Sequence, residues 1–252
     1  MTDITQAALL KVERANRHFR ELEACVKAFA ESEFYSISKD IDPCSGNPCA
    51  RVSINPLPKE VPLMIGDTIH NLRSALDFVW TEMVRQLGRT DANQHFPFHE
   101  KRDDLERRVL QDEKVVVPAV PAVGKVLVND IKPYKAGNIS LWAMNVLDRA
   151  DKHRLLIASA NITGFPHIAL IDKNRNNTFY QGKVLPSGIV HISGAFPGLE
   201  IEEISYGKPS IVVVFDIDPV RGRHVFPGLT SMGRETERAI RLIGDAWIAS
   251  GH

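Results

Sequence analysis

The stretch IGDTIHNLRSALDFVW, residues 65–80, decides how the chain is read, because it is a helix whose two faces differ sharply in composition. At about 100° per residue, Ile69, Leu72, Ala75, Leu76, Val79, Trp80 and Met83 fall on one arc. Asp67, His70, Asn71, Arg73, Ser74, Asp77 and Thr81 fall on the other, and only Phe78 breaks the division. A wetted helix face is ordinarily filled with Glu, Lys and Gln, which form helices well and carry long solvated side chains, and this stretch has none of the three. Its polar arc is made of short hydrogen-bonding groups, as suits a network or a ligand-facing surface. His70, Arg73 and Asp77 follow one another at three and four, so they share a stripe on which Arg73 and Asp77 can pair. Asp67 is expected near the helix start, where its carboxylate suits the positive end of the dipole.

A second helix carries the matching set. In LWAMNVLDRADKHRLLIAS, residues 141–159, Asp148, Asp151 and Arg154 fall at successive threes among apolar positions that nearly encircle the helix. Such a helix is central, and its charges need partners. If it lies beside the first, Asp148 or Asp151 reaches Arg73 or His70. His153 projects elsewhere, near Trp142. His70, Arg73, Asp77, Asp148, Asp151, His153 and Arg154 are therefore the candidate site residues, either as a buried structural network or as groups that move protons and stabilise phosphate charge.

Around these two helices the periodicity divides the chain. Residues 4–31 repeat apolar side chains at three and four, which predicts a long first helix. FYSISKDID and CARVSIN alternate around the turn-rich PCSGNP and predict a hairpin at 34–55. The helix at about 63–88 can end at Gly88. A loop, a short charged helix reaching about Gln111, a helix near 120–131 and a helix at about 139–159 follow. From Phe165 short Ile- and Val-rich runs separated by Gly, Pro and Asn predict antiparallel strands, and residues 230–250 read as a returning helix. The expected fold class is α+β: a helical body at 1–162 with the hairpin inserted in it, then a β region with the C-terminal helix at 163–252, the two packed as one unit.

Composition sets the functional limits. The 252 residues are 44% hydrophobic and 25% charged, with 31 Lys plus Arg against 31 Asp plus Glu, so no global basic field exists to attract nucleic acid or anionic membrane. The start, MTDITQAALLKVERANRHFR, lacks a signal-peptide pattern, and no segment approaches the roughly eighteen apolar residues of a span. A cytoplasmic location without membrane association is expected. The three cysteines are too few for a disulfide framework. Cys44 and Cys49 with His95 and His99 have loose spacing for zinc, so no metal is expected there. P-loop, dinucleotide, hydrolase-elbow and zincin motifs are absent, and no cofactor is expected. The run EKRDDLERR, residues 100–108, reads as a solvated helix face.

GDTIHNLRSALD at 66–77, the Phe-Pro loop at 96–98 and the DRADKHRLL segment at 148–156 together resemble a family of bacterial and phage-encoded proteins that has no assigned activity. The NLRSALD helix is similar, more distantly, to helices of the HEPN superfamily, whose ribonuclease members carry a His four to six positions after an Arg. Here Phe78 stands at the fifth position after Arg73, and the one match, Arg89 to His95, lies in a loop. Two expectations follow. The protein is a binding or interaction module with a polar His/Arg/Asp site between two helices, of the kind found in phage or host-defence accessories and able to form homodimers. Alternatively it is a HEPN-like or degenerate ribonuclease, or a phosphoester enzyme acting on a nucleotide. RNA, a nucleotide or a small phosphate compound is the candidate ligand, and in the first reading the polar face either holds a ligand or serves only the fold.

Overall fold

The computed structural model describes residues 3–89, 95–111, 120–151, 158–165, 168–172, 182–184, 189–192 and 200–251. The fold is α+β. In chain order it comprises α1 (Gln6–Glu31), β1 (Tyr35–Ile41), β2 (Pro48–Ile54), α2 (Glu60–Gln86), α3 (Arg102–Leu110), α4 (Pro121–Val126) running into a π-helical turn (Leu127–Ile131), and α5 (Ile139–Asp151). Strands β3 (Ala158–Gly164), β4 (Ile168–Asp172), β5 (Gly182–Val184), β6 (Ile189–Ile192), β7 (Ile201–Tyr206) and β8 (Ser210–Phe215) precede α6 (Val225–Ala249). No helix among the described residues is long and apolar enough to cross a membrane.

The chain forms two compact units whose boundaries differ from the expected 1–162 and 163–252. One is built from residues 1–24, 59–157 and 215–252, and the other from 25–58 and 158–214. The hairpin belongs with the later strands because β2 pairs with β6, through Ala50 opposite Val190 and Arg51 opposite Ile189. The last helix belongs with the helical unit, where it packs on α2, α4 and α5. A local period cannot reveal either affiliation, since both depend on contacts far apart in sequence.

In the helical unit the core is supplied by the apolar arcs. Ile65, Ile69, Leu76, Val79 and Met83 of α2, Leu141, Met144 and Leu147 of α5, and Ile240 and Ile243 of α6 are all fully buried. α2 begins at Glu60, with Pro62 in its first turn, where a missing N–H costs nothing. Asp67 thus stands two turns inside the helix and exposed, and it caps nothing. The helix stops where Gly88 turns to φ +66°, a conformation in which glycine meets no Cβ penalty. α5 starts on Asn138, whose side-chain oxygen accepts the N–H groups of Ser140 and Leu141, both at 3.1 Å. Its described helix ends at Asp151, and Ala158 and Ser159, expected at its end, lie in β3.

In the other unit a four-stranded sheet runs β1-β2-β6-β5, beside the pairs β3-β8 and β4-β7. Ala50, Val52 and Val190 form its buried centre, with Tyr35, Ile37, Ile162, Phe165 and Ile204 packed around them. The hairpin turn is closed by Asp42, whose carboxylate accepts the Cys44 N–H at 3.0 Å and the Ser45 hydroxyl at 2.6 Å.

Candidate functional site

Polar contacts among the described residues tie α2 to α5, and the residue numbers of three of them run in opposite senses, so the helices are antiparallel with a polar seam between them. Gly66 lies against the Asp151 carboxylate, His70 against Asp148 and Arg73 against Asn145. The seam exists because both helices place polar side chains at three- and four-residue steps on the face they share. At Gly66 the approach is so close that an added Cβ would sit 2.6 Å from Asp151 Oδ2.

His70 Nδ1 lies 2.9 Å from Asp148 Oδ1, with the Asp148 side chain 4% exposed and the His70 ring 52% exposed. A buried carboxylate needs a donor, and the imidazole N–H meets that need while its other edge faces solvent. Ser74 Oγ stands 3.4 Å from His70 Nε2 on that outer edge.

Arg73 is held by three neighbours. Its Nε donates to Asn145 Oδ1 at 3.1 Å, and its guanidinium carbon sits 4.8 Å from the centroid of the Phe98 ring. Nη1 lies 2.6 Å from Asp77 Oδ1 as an ion pair, yet the angle is too bent for a hydrogen bond, and buried Nη1 keeps its donor capacity unspent. Asp77 in turn accepts the Phe96 N–H at 2.8 Å, which fixes the Phe-Pro-Phe loop over the helix. His95 Nδ1 stands 3.9 Å from Asp77 Oδ2, an ion pair only when that ring is protonated.

Beside this loop opens a cleft of about 380 Å³, lined by Arg73, Arg108, Arg149, His95, His99 and Asn145 together with the loop aromatics. No Asp or Glu lines it among the described residues. Burial pushes the His99 ring below the ordinary histidine value, and the neighbouring Arg108 charge pushes it further, against a smaller opposing pull from Asp104. The described lining of the cleft thus carries three arginines and no carboxylate, with Asp77 paired to Arg73 behind it, although the whole chain is neutral.

Of the residues expected at the site, His70, Arg73, Asp77, Asp148 and Asp151 come together along the seam. His153 and Arg154 lie outside the described residues. Arg108 was expected on a solvated face, but the α3 helix turns it into the cleft. Asn145 carried no signal in sequence, and Phe98 and Arg149 entered only as parts of the segments that carry the family resemblance, because an isolated amide, aromatic or Arg is ordinary until its neighbours are known. The described residues bring no three His, Cys, Asp or Glu side chains into a metal-holding group, and none of the three cysteines is in a disulfide.

Fold and site together define an α+β protein in which two antiparallel helices share a polar seam that opens beside an arginine-rich cleft. No family model, no curated protein and no solved structure matches the chain.

Proposed function

We propose that the protein is a binding module that captures an anionic group, in the first place a phosphate ester such as a nucleotide or RNA terminus, in the cleft beside Arg73. One observation supports this reading: three arginines, Arg73, Arg108 and Arg149, line one cleft that has no carboxylate among its described lining residues. Guanidinium forks match phosphate oxygens in geometry, and each charge-assisted hydrogen bond contributes about 1.5 to 3 kcal/mol. Two such bonds give about 3 to 6 kcal/mol before the entropy of association is subtracted, in keeping with a ligand held weakly, at millimolar concentration.

Arg149 makes the test clean. It is exposed and has no hydrogen-bond or ion-pair partner among the described residues, so Arg149→Ala leaves the fold intact while removing one cleft charge. Calorimetric titration with inorganic phosphate, AMP and a short RNA is expected to show binding to the parent and roughly tenfold weaker binding to Arg149→Ala, about 1.4 kcal/mol. Equal affinity in the two proteins, or no binding of any of the three probes, disproves the reading.

The cleft also predicts proton uptake. His99 is kept neutral partly by Arg108, and an anion that offsets the Arg108 charge raises the affinity of the ring for a proton. Binding measured near pH 6 in buffers of different ionisation enthalpy should show protons taken up, and the effect should vanish in His99→Phe.

A further inference from the structure

Ser74 and His70 are four residues apart on one helix, and that spacing alone brings any such pair close. Two features separate this pair from ordinary neighbours. The far nitrogen of the ring is on Asp148, a carboxylate whose side chain is 4% exposed, at 2.9 Å. The hydroxyl, moreover, does not take the bond that hydroxyls inside helices usually take, to the carbonyl four residues back. Thr68 makes that bond to Met64 and Thr230 to Phe226, at 2.7 and 2.9 Å, while Ser231 and Thr236 turn to Ser140 and Met144 of α5. Ser74 Oγ instead faces His70 Nε2 at 3.4 Å and has no other partner among the described residues.

We infer that Asp148, His70 and Ser74 form a nucleophilic site at which Ser74 Oγ attacks carboxylic esters, an activity separate from anion capture in the arginine cleft. The order of contacts is that of an activated hydroxyl: a buried acid, a base oriented by it and a nucleophile on the free edge of the base, the last distance being slack as in unliganded sites. Asp148 Oδ1 accepts the Nδ1 proton, which leaves the Nε2 lone pair towards Ser74. As the Oγ–carbon bond forms, the hydroxyl proton passes to Nε2. Collapse of the tetrahedral adduct breaks the ester C–O bond, and His70 returns the proton to the departing alkoxide. Water then attacks the acyl-serine by the same proton transfers, releasing the carboxylic acid and restoring the hydroxyl. The ring edge that does this work is 52% exposed at the side-chain level, so a substrate can reach it.

The experiment uses the full chain with a fluorophosphonate, which reacts with activated serines by forming an O–P bond and expelling fluoride, and with p-nitrophenyl acetate as the ester. The expected result is one adduct per chain, mapped to Ser74 by peptide mass analysis and lost in Ser74→Ala. His70→Gln can still donate to Asp148 but is no base. It should melt like the parent, label at least tenfold more slowly and hydrolyse the ester correspondingly slowly. In His70→Ala added imidazole should restore part of the rate, which a purely structural ring would not allow. Absence of a Ser74 adduct overturns the inference. So does labelling of Ser74 at the parental rate in His70→Gln, because the base would then be idle. Neither outcome touches phosphate binding in the cleft, so the two readings stand or fall apart.

Discussion

Arg73 is the residue on which the seam, the loop and the cleft depend, and its surroundings set what its removal costs. Arg73→Ala strands Asp77 beside the Phe96 N–H, removes the donor to Asn145 and uncovers one face of Phe98. A fully buried pair broken in this way costs about 3 to 5 kcal/mol, and Asp77, at 29% exposure, recovers part of that by hydration. Urea unfolding of Arg73→Ala should therefore show a loss of about 2 to 3 kcal/mol, and a loss under about 1 kcal/mol would refute the packed role. Glu82 gives a pH signature. Hydrogen bonds from Arg85 and then Gln86 hold its carboxyl far below the ordinary value of 4.5, at about 2. A lowered folded value means that the contribution is complete above pH 4.5 and is lost as pH falls from there towards 2. Melting temperatures between those limits should fall more steeply for the parent than for Glu82→Gln. At this scale the sequence made the Arg73–Asp77 pair legible, because i and i+4 on a helix are neighbours whatever the tertiary fold. The cleft was not legible, because Arg108 and Arg149 meet Arg73 only through the packing of three separate helices.

The spacing of helices α2 and α5 is set by a residue with no side chain. Gly66→Ala would drive a methyl group against both oxygens of Asp151, at 2.6 and 2.7 Å, so the helices must part or the carboxylate must turn away. Overpacking of this kind costs about 1 to 3 kcal/mol. A melting curve should show the loss, and Asp151→Gly placed on top of Gly66→Ala should recover much of it, whereas additive losses would show that the two positions do not meet. Whole elements were readable where a period persisted: α1, α2, the hairpin and the strands from Ile168 onward follow their apolar patterns. Boundaries were not readable where propensity and tertiary contact disagree. The run ASANITG, residues 158–164, is small and polar, with little β signal of its own, yet it pairs with β8 as β3. α6 starts at Val225, ahead of the expected 230, because Pro227 fits a first helical turn as well as a loop. The charge seam between α2 and α5 could be anticipated as a need for partners, while the direction of the pairing could not.

The helical unit is assembled from three stretches of chain, with the strand-bearing residues 158–214 belonging elsewhere between the second and the third. That arrangement has a consequence during synthesis. Residues 60–86 of α2 leave the ribosome well over a hundred residues before 225–249, the α6 segment that packs on them. At about 5 to 20 residues per second the wait is roughly 7 to 30 s. Throughout it, an apolar surface of α2 has no cover, and a nascent chain in this state is a client for holding chaperones and a hazard for aggregation. A chain stopped at residue 224 should bind a hydrophobic dye and melt without a cooperative transition, and a synthetic peptide of residues 220–252 should quench the dye and restore the transition. If the shortened chain already melts cooperatively, the final helix is a late ornament and the waiting time has no biological cost.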